Sequence, residues 1–148
     1  MVAIKQMSFP GSIEKRCVLY DVFSEVHVST VEAFKHQKNI VEIYDYGVDS
    51  SGYHLVMKRY KHSFKEWRVS QDKDIKDNLS LYLSLYKDIL IAVELLHSNN
   101  VTHYDIKADN VFLDVADSEK RTGSESNLKI ALGDLGECKM FISDEDEF

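Results

Sequence analysis

Residues His103-Tyr104-Asp105-Ile106-Lys107-Ala108-Asp109-Asn110 form a mainly polar stretch set between two short apolar runs, Val101-Thr102 and Val111-Phe112-Leu113. A polar cluster bounded by strands on both sides must fold as a loop held at its two ends, a rigid mount for reactive groups. What precedes it narrows the choice further. From Asn78 to Ser98, Tyr82, Tyr86, Ile89, Val93 and Leu96 recur at helical spacing, and Leu79, Leu83 and Leu90 widen the apolar face. Such a broad face predicts a helix packed into a core. After the loop, Leu128 to Leu132 predicts one more strand, running straight into Gly133-Asp134-Leu135-Gly136.

The first half of the chain reads as strand, helix and hairpin. Val2-Ala3-Ile4 is β-prone and closes on Lys5, and the turn formers Ser8 to Ser12 follow. Ile13 to Gln37 predicts a helix with Val18, Val22 and Val26 as its stripe and Leu19 and Phe23 beside it. Glu25 and Glu32 share one face of that helix, and periodicity does not choose between them. Ile40 to Tyr46 and Tyr53 to Met57 read as strands around a loop, Gly47 to Gly52. Ser63 is placed to cap a short helix through Trp67, which reads as a packing residue. Gln71 to Asp77 reads as a charged linker, Asp114 to Asn127 as an extended loop, and Asp144 to Glu147 as a solvated acidic tail.

Composition removes several classes. The 148 residues carry a net charge of −7, which argues against nucleic acid or an anionic membrane as main partner. No apolar run approaches a membrane span, and the N-terminus has no secretory pattern. Cys17 and Cys138 fit no zinc spacing and read as free thiols of a reducing compartment, the cytoplasm.

Three motifs then stand in order: Val2-Ala3-Ile4-Lys5, His103-Tyr104-Asp105-Ile106-Lys107-Ala108-Asp109-Asn110, and Asp134-Leu135-Gly136. Together they resemble the V-A-I-K, H-R-D-L-x-x-x-N and D-F-G set of protein kinases, and Lys107 two after Asp105 resembles the serine/threonine branch. The resemblance implies a two-lobe α+β kinase fold, here partial. It divides into an N-lobe portion (1–57), a hinge (58–62) and a C-lobe portion (63–148). It implies transfer of the ATP γ-phosphoryl group to a serine or threonine hydroxyl of a protein substrate, with Mg²⁺. Asp105 would take the hydroxyl proton and Lys107 would neutralise the γ-phosphate. Asn110 and Asp134 would hold Mg²⁺. Lys5 would grip the other phosphates, kept in place by a helix glutamate, for which the family's spacing favours Glu25. Ala3, Met57, Tyr60 and Phe112 would surround the adenine, with the backbone of the hinge hydrogen-bonded to it.

The chain departs from the family in four places. Met1 stands one residue before Val2, so a glycine-rich loop has no room within these residues, and the chain ends at Phe148 without an A-P-E element. Both points suggest an incomplete domain. The alternative function is therefore a catalytically inactive fragment that binds nucleotide or docks on a partner. Tyr104 replaces the arginine that in many relatives meets a phosphate on the activation loop, unless Lys139 takes that part, and Leu135 replaces phenylalanine.

Overall fold

A computed structural model describes residues 1–8, 14–71, 74–115 and 128–141, apart from the side chains of residues 14–19 and 115. The expectations for 9–13, 72–73, 116–127 and 142–148, including most of the extended loop and the acidic run, lie outside the described residues.

The chain opens with β1 (Val2–Ser8), so Lys5 stands in mid-strand rather than at its end. Helix α1 (Glu14–Thr30) follows. It stops seven residues earlier than the sequence predicts, because Val31 is extended (φ −60°, ψ 123°) and a separate 3₁₀ turn, Glu32–Phe34, takes over. Among the described side chains of α1, Val22, Glu25 and Val28 are buried, while Phe23 is exposed. The predicted stripe is therefore corrected: the inward face carries a charged residue in its middle, which an apolar count reads as outward.

Strands β2 (Ile43–Asp49) and β3 (Gly52–Lys58) form a hairpin tighter than the turn formers suggest. The first sheet has the order β1-β3-β2, antiparallel throughout, with an irregularity between Ile43 and Asp45. Ile40 belongs to no strand here; it forms an isolated parallel bridge to Leu132. Val41 N–H donates to the Leu132 carbonyl at 2.9 Å and Leu132 N–H to that of Asn39 at 2.8 Å, which ties this half to the second.

The second half begins with β4 (His62–Ser63) and α2 (Phe64–Val69). Ser63 caps α2 as expected, with the Glu66 side chain returning the bond in a capping box. Helix α3 (Leu79–His97) leads to β5 (Val101–Thr102), then β6 (Val111–Val115), β7 (Leu128–Leu132) and β8 (Lys139–Met140). A second sheet runs β4-β6-β7, and β5 pairs with β8. On α3, Tyr82, Leu85, Ala92 and Leu96 are buried, whereas Leu79, Leu83, Tyr86 and Leu90 are exposed. The helix is apolar on more than one side, so periodicity alone could not pick the face that packs. Trp67 stacks on Phe64 and tilts against Tyr82, the packing role read from the sequence. One continuous core runs from Val28, Phe34 and Ile40 through Leu96, Leu113 and Leu132 to Leu135, so α1, α3 and the β4-β6-β7 sheet share it. Among the described residues no helix is long and apolar enough to cross a membrane.

Candidate functional site

Strand alternation turns Ala3, Lys5 and Met7 inward and leaves Val2, Ile4, Gln6 and Ser8 exposed. Lys5 Nζ donates to Glu25 Oε2 at 2.8 Å and to Asp134 Oδ1 at 2.6 Å, bridging residues 20 and 129 positions away. Glu25 is only 2% exposed, and the backbone of Leu135 also donates to its carboxylate. Burial pushes the Glu25 carboxyl up, with the Lys5 ammonium working against it. Burial alone would lower the Lys5 ammonium, but the Glu25 and Asp134 carboxylates outweigh it and hold it raised. Glu32 is on the 3₁₀ turn instead, exposed and paired with Lys35, so the structure brings Glu25 to Lys5 and leaves Glu32 out.

A second cluster forms on the Asp105 loop. Asp105 Oδ2 accepts from Lys107 Nζ at 2.6 Å and from Asn110 Nδ2 at 2.8 Å; the same amide also donates to the Asp105 carbonyl at 2.9 Å. The Lys107 bond holds the Asp105 carboxyl below its usual value, and Asp105 in turn raises Lys107.

His103, 1% exposed, links this loop to the turn that carries Asp134. Its ring lies 3.2 Å from the Asp105 N–H through Nδ1 and 3.0 Å from the Gly133 carbonyl through Nε2. Both contacts are satisfied only when Nε2 carries the proton and Nδ1 accepts. Burial lowers the His103 pKa, in keeping with a neutral ring. Gly133 N–H closes the link by donating to the Asn110 carbonyl at 2.9 Å. Tyr104 (φ 63°) and Asp134 (φ 59°) are both left-handed, a conformation costly for residues other than glycine and concentrated at functional sites. Lys5, Asp105 and Asp134, with Met7, Asp21, Gly136 and Glu137, line one cavity of about 280 Å³. A larger cleft of about 350 Å³ lies behind α1 near Phe34 and Tyr46, away from these groups.

None of the apolar candidates Ala3, Met57, Tyr60 and Phe112 lines the cavity around Lys5, Asp105 and Asp134. Ala3 and Met57 are direct partners across β1 and β3. The Tyr60 and Phe112 rings meet at 5.7 Å, and burial pushes the Tyr60 phenol up to about 12. Gly133 stands between the two groups: a Cβ there would fall 3.0 Å from Phe112 and 2.5 Å from Val41.

Sequence reasoning missed the His103 link and the role of Gly133. The available signals were a histidine two residues before Asp105 and a glycine immediately before Asp134. Lys139 Nζ lies 5.0 Å from the centre of the exposed Tyr104 ring, so the cation weighed as a stand-in for the missing arginine is beside the tyrosine that replaces it. Cys138 is a buried free thiol, pushed up to about 12 by burial.

The chain is matched over residues 1–147 by the family model for the protein kinase domain. A probable serine/threonine-protein kinase of Dictyostelium discoideum is 34% identical over 97% of this chain and 6% of its own length. A probable serine/threonine-protein kinase of Caenorhabditis elegans is 27% identical over 91% of this chain and 17% of its own. The CTD kinase subunit alpha of Saccharomyces cerevisiae is 26% identical over 88% and 22%. The chain thus spans between 6% and 22% of the length of these relatives. Because the likeness takes in the sheets and helices that carry the Lys5–Glu25–Asp134 bridge as well as the motifs themselves, this chain belongs to the protein kinase family.

Proposed function

We propose that this chain transfers the γ-phosphoryl group of ATP to a serine or threonine hydroxyl of a protein substrate. The observation that carries the reading is Lys5, held at 2.8 Å by Glu25 and 2.6 Å by Asp134 beside a cavity that also exposes Asp105. Phosphoryl transfer asks a protein for positioning and charge neutralisation more than for covalent help. Asp105 is the acceptor for the hydroxyl proton. Its Oδ2 is fixed by Lys107 and Asn110, which leaves Oδ1 to face the hydroxyl. Lys107 moves from Asp105 toward the transferring phosphate, and Lys5 grips the phosphates behind it. Ala3, Met57, Tyr60 and Phe112 enclose the adenine, and residues 58–62 are the hinge between an N-lobe portion and a C-lobe portion.

The donor set fits Mg²⁺. Asn110 spends its amide nitrogen on Asp105 and keeps its carbonyl oxygen, while Asp134 keeps Oδ2 clear of Lys5. Two such oxygens suit a hard cation that retains water. Among the described residues no three His, Cys, Asp or Glu gather into a dedicated metal cage. When bound, Mg²⁺ supplies charge neutralisation at the phosphates. The inert-module alternative gains no support from these positions, since Lys5, Asp105, Asn110 and Asp134 all retain the groups the chemistry needs. The buried Cys138 thiol and the use of ATP go with a cytoplasmic setting.

Thermal stabilisation by ATP, with and without Mg²⁺, in wild type and Asp134→Ala tests the nucleotide and metal site. A shift confined to wild type with Mg·ATP is expected. An equal response in all four cases would remove the site.

A further inference from the structure

The acidic chain carries one concentrated basic stretch. Between residues 58 and 68 stand five Lys or Arg and a single Glu, in a molecule of net charge −7. The fold sets this stretch against the Asp105 loop. Lys61 N–H donates to the Leu113 carbonyl, Ser63 pairs with Phe112, and Lys65 N–H donates to the Ala108 carbonyl at 3.1 Å.

Four acids near this stretch have partners of their own, Glu42 with His36 at 3.4 Å among them. Asp114 pairs with Lys58 at 3.2 Å, and Asp109 with Lys65 at 2.9 Å. Glu66 is taken by the Ser63 N–H at the start of α2. Arg59 and Lys61 are exposed and meet no carboxylate among the described residues; the Arg59 guanidinium reaches only the Met1 sulfur, at 3.3 Å. The segment that packs against the Asp105 loop therefore carries two exposed cations that no carboxylate answers among the described residues, while Asp109 on the loop itself is paired with Lys65.

We infer that this edge docks an acidic segment of the protein substrate, with Arg59 and Lys61 meeting its carboxylates while the acceptor hydroxyl lies at Asp105. The inference rests on the phosphoryl-transfer reading for the identity of its occupant. Two exposed cations, Arg59 and Lys61, answer the few carboxylates that a short peptide segment supplies. A long polyanion would run beyond them onto a surface of the opposite sign, where like charges repel.

The test uses the full 148-residue chain and two labelled peptides, one with a serine flanked by glutamates and one with glutamines in their place. Fluorescence anisotropy reads binding without catalysis. Two exposed ion pairs account for up to about a tenfold preference for the glutamate peptide at low salt. Lys61→Glu, an exposed site whose variant is checked for wild-type thermal stability, should abolish that preference by weakening the glutamate peptide and not the glutamine peptide, and Lys61→Gln should weaken it partly. Equal binding of the two peptides, or a preference untouched by Lys61→Glu, overturns the inference. Heparin that displaces the glutamate peptide and binds more tightly than it, with the same dependence on Lys61, overturns it in favour of a general polyanion surface. Lys61-dependent binding of the glutamate peptide without phosphate on its serine upholds the docking surface and counts against the phosphoryl-transfer reading instead.

Discussion

Gly133→Ala perturbs the joint between the two clusters with a single methyl group. The residue cannot move away, because its N–H is held by the Asn110 carbonyl at 2.9 Å and its own carbonyl by His103 at 3.0 Å. The new Cβ would lie 2.5 Å from Val41 Cγ2, 3.0 Å from Phe112 Cε2 and 3.1 Å from Val41 Cβ. Val41 is β-branched and buried, so it has little rotamer freedom with which to yield. Overpacking of this kind costs about 1–3 kcal/mol. For a chain of this size that corresponds to a fall in Tm of roughly 3–9 °C. Urea denaturation and thermal melting measure it. The double variant Gly133→Ala/Val41→Ala should recover about 1 kcal/mol relative to the sum of the single changes, since the second removes Val41 Cγ2, the atom the first strikes hardest. Because Phe112 is also pushed, the Mg·ATP-induced thermal shift should shrink in the single variant. Stability of Gly133→Ala within about 0.5 kcal/mol of wild type, with no coupling to Val41, would refute this reasoning.

Glu25→Gln should separate stability from function. Lys5 is 35% exposed and keeps Asp134 as a partner, so stability should change by about 1 kcal/mol or less, while phosphate transfer falls at least about tenfold as Lys5 loses its fixed aim. Intact turnover would contradict the role given to the bridge. His103 gives a pH signature. Its folded pKa lies below the reference value of 6.5, so the folded state binds fewer protons than the unfolded one just below that pH. The stability it contributes is complete above the unfolded value and is lost as pH falls through the folded one. Melting between about pH 7.5 and about pH 5 should show a decline that His103→Gln flattens; parallel curves would show that His103 is not the group responsible.

Much of the site was legible because its residues stand in short motifs, where chemistry fixes both type and spacing. Asp105, Lys107 and Asn110 lie within six residues, and the loop that carries them had to be anchored by the apolar runs beside it. The choice between Glu25 and Glu32 was not legible from periodicity, and only the family's spacing favoured Glu25. It depends on α1 ending at Thr30, and no proline or glycine marks that end. The stripe on α1 was misread for a related reason: Glu25 faces inward because Lys5, distant in sequence, satisfies its charge. On α3 the signal failed through excess, as a helix apolar on several sides does not reveal which one is covered. The hairpin loop was drawn too long because Gly47 and Asp49 read as turn formers, yet both are in β2, at the edge of its sheet. The left-handed backbone at Tyr104 has no local cue, since tyrosine carries no preference for it.

The most direct measurement of the central claim is transfer of labelled γ-phosphate from Mg·ATP to a serine peptide by the full chain and by Asp105→Asn. The substituted amide keeps the shape of the side chain and its place beside Lys107 and Asn110 but cannot accept the hydroxyl proton. The account predicts label on the peptide serine with wild type, a fall of about 10² or more in rate with Asp105→Asn, and an unchanged Mg·ATP-induced thermal shift in that variant. Equal rates in the two proteins, or no label on the peptide from a wild-type chain that binds Mg·ATP, would contradict it.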